Sequence, residues 1–193
     1  MPDRQVWLRG GPALDTKPTI ATDWLACCSG CHMSLLDLDE GLLDVLEKAT
    51  LLSSPITDLK QPPESGVTVG ILEGCVNNSS NEEVAHRMRS RCQILVALGD
   101  CAVFGGIPAL RNACGRQAAL QRAYVESEST VDGAIPDDEE LATMTDARAL
   151  SQVVHVDVYV PGCPPSPEAI LYTVGALLNG RMPRLEGHRL DWH

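Results

Sequence analysis

Eight cysteines carry most of the chemistry open to this sequence. Cys28-Ser29-Gly30-Cys31 separates two thiols by two residues, so a single tight turn presents both sulfurs to one metal centre or to each other. Cys27 directly precedes the pair, and Cys101 and Cys163 stand alone further along. Thiolates hold iron-sulfur clusters and zinc, and a spaced pair can also exchange with disulfides. Two further cysteines at equivalent strand ends point toward a metal or cluster rather than dithiol exchange. Spacing alone leaves zinc on four thiolates open beside a 4Fe-4S cluster. Gly30, Gly74, Gly99 and Gly162 flank the candidates, which suits close backbone approach and amide hydrogen bonds to sulfur. Pro164 and Pro165 stiffen the loop carrying Cys163 and remove amide donors from it.

These residues need elements to position them. Residues 20–26 predict a strand, and Leu35, Leu38, Leu42 and Val45 recur at helical spacing, predicting a helix over 33–49. After Pro62-Pro63, residues 67–72 read as a buried strand and 80–91 as its helix, capped by Ser80 or Asn81. Residues 94–98 are the clearest buried strand, and a helix around 117–125 follows. A strand over 153–160 and a helix over 168–178 complete the pattern. Strands alternating with helices predict a flavodoxin-like doubly wound α/β fold, a parallel sheet with helices on both faces. The 193 residues suit one domain. Residues 126–146 hold eight acidic residues with little apolar periodicity, so about 126–150 reads as an exposed acidic excursion. In such a sheet the loops at the carboxyl ends of the strands converge. Cys27, Cys28 and Cys31 follow the first strand, Cys75 the second, Cys101 the third and Cys163 the fourth. Cys92 and Cys114 are bystanders.

Composition narrows the partners. A formal charge of -11 argues against nucleic acid and anionic membrane surfaces. No run of 18 apolar residues occurs, and residues 1–15 show no apolar export segment, so a cytoplasmic protein with reduced cysteines is expected. Cysteines occupy the place after the first strand where a Ser/Thr- and Gly-rich loop would cradle the phosphate of FMN. No G-x-G-x-x-G follows a strand, so nicotinamide would have to bind elsewhere. Glu73 reads as a structural hydrogen-bonding partner at a strand end, His32 as a polar residue at a helix start, His86 and His155 as surface or half-buried, and Cys75 as a spare thiol.

Four segments together resemble the cluster-binding domain of nickel-iron hydrogenase small subunits: Trp24-Leu25-Ala26-Cys27-Cys28-Ser29-Gly30-Cys31, Leu72-Glu73-Gly74, Gly99-Asp100-Cys101-Ala102 with Gly105-Gly106, and Pro161-Gly162-Cys163-Pro164-Pro165. The resemblance implies that Cys28, Cys31, Cys101 and Cys163 hold one 4Fe-4S cluster. It further implies that electrons pass between the nickel-iron site of a large subunit and a diaphorase module of flavin and iron-sulfur subunits that reduces NAD. The chain would not be catalytic alone. With no export signal and no cysteine after Cys163, it is most similar to the cytoplasmic NAD-reducing members. The cluster subunit of respiratory complex I shares Gly99, Cys101 and the 161–165 motif, and uses adjacent cysteines like Cys27 and Cys28. Cys31 separates the two, because the hydrogenase type uses it as a ligand.

Overall fold

The structure, a computed structural model, describes residues 17–190, so the amino-terminal stretch searched for an export segment lies outside the described residues. In chain order the elements are β1 (Thr19–Trp24), α1 (Gly30–Leu36), α2 (Glu40–Lys48), β2 (Thr50–Ser53), β3 (Val67–Glu73), β4 (Val76–Asn78), α3 (Ser79–Arg91), β5 (Cys92–Leu98), α4 (Gly99–Phe104), a 3-10 turn at Ile107–Ala113, α5 (Arg116–Tyr124), β6 (Met144–Arg148), β7 (Val158–Val160) and α6 (Pro167–Leu178). Five strands form one parallel sheet in the order β2-β1-β3-β5-β7. Numbered within that sheet alone, the order is the flavodoxin-like one, with the switch point between β1 and β3.

Alternation along the central strands divides the core into two layers. Ile94, Val96 and Leu98 of β5 face Val45 of α2 and Ile170, Val174 and Leu177 of α6. Leu95 and Ala97 face Ala85 and Met88 of α3 and Ala102 of α4. All of β3 is buried, as expected for a central strand covered on both faces. Gly70 lies mid-strand because the opposite wall comes too close for a side chain: a Cβ there would stand 2.9 Å from Cys92 Sγ and 3.0 Å from Met88 Cγ.

Several elements differ from the sequence expectation. The helix foreseen over 33–49 is two, broken at Asp37-Leu38-Asp39, where Asp39 adopts φ +50; aspartates compete for backbone groups and favour such breaks. The α3 cap is Asn78, whose side chain accepts from the Asn81 amide at 2.8 Å. The strand expected over 153–160 keeps only Val158–Val160. Ahead of it Asp157 takes over the ladder, its amide donating to Leu95 O and its carboxylate accepting from the Leu95 amide at 2.9 Å. Of the acidic excursion, 126–143 contains no helix or strand, but 144–148 is β6, paired antiparallel with β4, and Ala147, Ala149 and Leu150 are buried. No helix of the described residues is long and apolar enough to cross a membrane.

The Gly70→Ala substitution should cost about 1–3 kcal/mol through overpacking, read as a lower melting temperature, and pairing it with Cys92→Ala should recover only part of the loss, because Cys92 Cβ and Met88 Cγ remain 3.0 Å away. Burial pushes the Cys92 thiol up to about 11 from 9.0. The unfolded chain therefore gives up this proton first, and stability falls as pH rises between those values. Cys92→Ala should flatten that decline in urea titrations.

Candidate functional site

The loop after β1 is stitched to the end of β3. Leu25 N donates to Glu73 O at 2.8 Å, and Ala26 and Cys75 exchange two backbone hydrogen bonds of 3.0 Å each. Gly74 makes this possible, with φ +89 and a hypothetical Cβ only 2.9 Å from Ala26 O. Beyond the stitch the chain turns through Ser29, at φ 65, into α1. Ser34 of α1 donates to Pro165 O at 2.6 Å, drawing in the loop after β7.

The converging loops form one pocket lined by Cys27, Cys28, Cys31, Cys101 and Cys163, with Glu73 and Asp100. All four cysteines expected as ligands are thus brought together. Cys28 and Cys163 are exposed at its mouth, while Cys31 and Cys101 are half-buried. Cys101 lies inside α4 rather than in a loop. Burial first, then Glu73, Cys101 and Cys28, pushes the Cys31 thiol far up. Cys101 is raised by burial, relieved in part by the Ile107 amide and reinforced by Cys163 and Cys28. These thiols would repel one another once ionised, and a cationic iron core is what relieves such a set. Backbone crowding fits the same use. A Cβ on Gly99 would lie 2.2 Å from Cys31 Sγ, and one on Gly106 would lie 2.7 Å from Cys101 Sγ. Among the described residues no three potential ligands meet around a single ion.

Glu73, fully buried at the end of β3, orients the cysteine loop. Oε2 accepts from the His32 amide at 3.0 Å, and Oε1 accepts from Cys27 Sγ at 3.1 Å. His32 Nδ1 stands 3.2 Å from the same Oε1. Its Nε2 lies 3.0 Å from Thr22 Oγ1, which in turn donates to Ser54 Oγ at 2.8 Å. Burial pushes the Glu73 carboxyl up, but the His32 ring, the Cys27 thiol and the His32 amide outweigh it and hold the group below its ordinary value. Burial, then Glu73, pushes the Cys27 thiol up to about 12. His32 stands in the first turn of α1, as expected of a polar residue at a helix start, and it is buried, with the Trp24 ring edge-on at 5.8 Å.

Asp100 is the second organiser, present in a recognised motif but given no role from sequence. Its amide donates to Gly162 O at 2.9 Å, and its Oδ1 accepts from the Gly162 amide at 2.7 Å. The residues that follow each partner are Cys101 and Cys163, so this pair of bonds fixes two thiols at once. Polar residues in otherwise apolar strands, such as Thr22, were the available signal for the buried network. Of the remaining cysteines, Cys75 and Cys92 are buried, Cys114 is exposed after the 3-10 turn, and His86 and His155 are exposed.

Comparison with known proteins adds to this geometry. The sequence pattern of the NADH ubiquinone oxidoreductase 20 kDa subunit matches residues 28–177. The chain is 41% identical over 169 residues to the delta subunit of the NAD-reducing hydrogenase HoxS of Cupriavidus necator, covering 86% of this chain and 80% of that one. It is 38% identical over 167 residues to one subunit of the F420-non-reducing hydrogenase of Methanothermobacter marburgensis, covering 85% of this chain, and there it spans about half of the relative, 54%. A crystal structure of an NAD+-reducing NiFe hydrogenase in the H2-reduced state superposes with a TM-score of 0.87 at 37% identity, covering 92% of this chain and 100% of that one.

Asp100→Ala should destabilise the fold by about 1–3 kcal/mol because the Gly162 amide loses its partner. Asp100→Asn, which keeps an acceptor oxygen, should lose less than half of that, measured by urea unfolding.

Proposed function

The chain belongs to the family of the NADH ubiquinone oxidoreductase 20 kDa subunit, and from that premise we propose that it is the electron-transfer subunit of a nickel-iron hydrogenase, carrying one 4Fe-4S cluster on Cys28, Cys31, Cys101 and Cys163. The observation that carries the reading is the convergence of these four thiols on one pocket at the carboxyl edge of the sheet. Likeness to hydrogenase subunits, along nearly the whole chain, supports it.

A 4Fe-4S cluster supplies one-electron transfer when bound, at a potential set by hydrogen bonds to sulfur and by burial. This chain's residues hold it and exclude alternatives. Gly99 and Gly106 leave room for the Cys31 and Cys101 sulfurs. Glu73 and Asp100 fix the three segments that carry all four thiols. Beside Cys101 the surface turns apolar, with Phe104, Ile107 and Leu110 exposed, a surface suited to a protein partner rather than to water. The partner in this reading is the large subunit bearing the nickel-iron site, where hydrogen is split. Electrons then continue to a diaphorase module that reduces NAD, in a cytoplasmic heteromer.

A second reading, a quinone-linked cluster subunit like that of complex I, draws on the adjacent Cys27 and Cys28 and on the family itself. Cys31→Ser separates the two: the hydrogenase arrangement loses its cluster, the complex I arrangement keeps it. Anaerobic purification with co-purifying partners should yield about four iron and four sulfide per protomer, with nickel in stoichiometric company. Serine at Cys28, Cys31, Cys101 or Cys163 should remove the iron and the visible absorption, whereas Cys114→Ser should leave both. Zinc, or a colourless protein that reduces disulfides, would refute the proposal.

A further inference from the structure

Five thiols line the pocket, yet a cubane cluster takes four cysteines. One of the adjacent pair, Cys27 or Cys28, must stay out, and residue type alone does not decide which. Their surroundings do. Cys28 is exposed at the mouth of the pocket, its sulfur 3.2 Å from where a Cβ on Gly30 would stand. The Cys27 sulfur is instead bonded to Glu73 Oε1 at 3.1 Å. The same carboxylate takes the His32 amide on its other oxygen, so one side chain grips the cysteine loop at both ends of the 27–31 stretch.

Resting on the iron-sulfur reading above, we infer that Glu73 selects the cluster ligand. By tying the Cys27 thiol and the His32 amide to the end of β3, it fixes the register of the 27–31 loop so that Cys28 supplies the fourth sulfur. Consecutive Cα atoms lie about 3.8 Å apart, so a slip of one residue would exchange the two sulfurs. The Ala26–Cys75 stitch holds the loop upstream, but nothing in it distinguishes one thiol from the next. Glu73 does, and beside it His32, whose Nδ1 stands 3.2 Å from Oε1, is held by Thr22 and Thr22 by Ser54. Glu73 is a positioning residue that acts through Cys27 and His32. In the Glu73→Gln variant one acceptor oxygen becomes an amide nitrogen, so the side chain can accept from the His32 amide or from the Cys27 thiol but no longer from both.

The test compares the anaerobically purified complex carrying the parent chain, C27S, C28S, E73Q or the E73Q/C28S double variant, reading iron and sulfide per protomer and the electron paramagnetic resonance spectrum of the reduced cluster. C27S should match the parent in both. C28S should lose its iron. The double variant should recover most of it, with a spectrum distinct from the parent's because Cys27 now ligates, and E73Q alone should show the two spectra superposed. The spectrum of E73Q alone also keeps the test valid should the double variant fail to fold. The inference is overturned if C28S keeps its full iron, if C27S loses it, or if E73Q shows only the parent spectrum while the double variant stays as iron-poor as C28S. A parent complex without iron would instead refute the cluster reading and this inference with it.

Discussion

Two backbone hydrogen bonds between Ala26 and Cys75 hold the loop after the first strand against the end of the third. They form at the switch point of the sheet, where neighbouring loops would otherwise diverge to opposite faces. Gly74 permits the approach, since any side chain there would strike Ala26. Everything in the pocket depends on this closure. It sets the direction in which the chain enters α1, brings the His32 amide to Glu73, and turns two cysteines toward others located more than a hundred residues downstream in one case. The parallel sheet supplies convergence, but the stitch converts it into contact.

Two carboxylates of different surroundings complete the arrangement. Glu73 is sealed from solvent, and an ion in such a place is tolerated only when paired and hydrogen-bonded; the His32 ring and amide and the Cys27 thiol meet that demand. Asp100 acts across the other half of the pocket, where reciprocal bonds with Gly162 join α4 to the loop after β7. Each acidic residue is spent on loop geometry, and each sits one or two residues from a thiol or its partner in space. The organisation of the site is thus carried by groups that do not themselves touch iron in the proposed reading.

That thiols would meet in one pocket was legible in the sequence, because convergence follows from strand ends in a parallel sheet; which four would hold a cluster came only from the family resemblance. The central strands expected over 67–72 and 94–98 stood out as largely apolar runs and are observed as β3 and β5. Less was visible where tertiary contacts override local pattern. Nothing adjacent to His32 signals burial, since its partner Glu73 is 41 residues away. β2, β4 and β6 are short and carry polar residues, and β6 exists only because β4 offers it an antiparallel edge. The break in the helix at Asp39 was masked by leucines that continue the helical spacing on both sides of it.

The pocket lies wholly at one edge of the sheet, and this has a consequence for wiring. A seven-residue strand such as β3 or β5 extends roughly 23 Å at 3.3 Å per residue. Electron tunnelling through protein weakens exponentially with distance, so a redox group held at the carboxyl edge is insulated from the opposite edge by the sheet itself. In the proposed reading, donor and acceptor alike would approach from the same hemisphere of the molecule, with the amino-terminal half of every strand as a spacer on the far side.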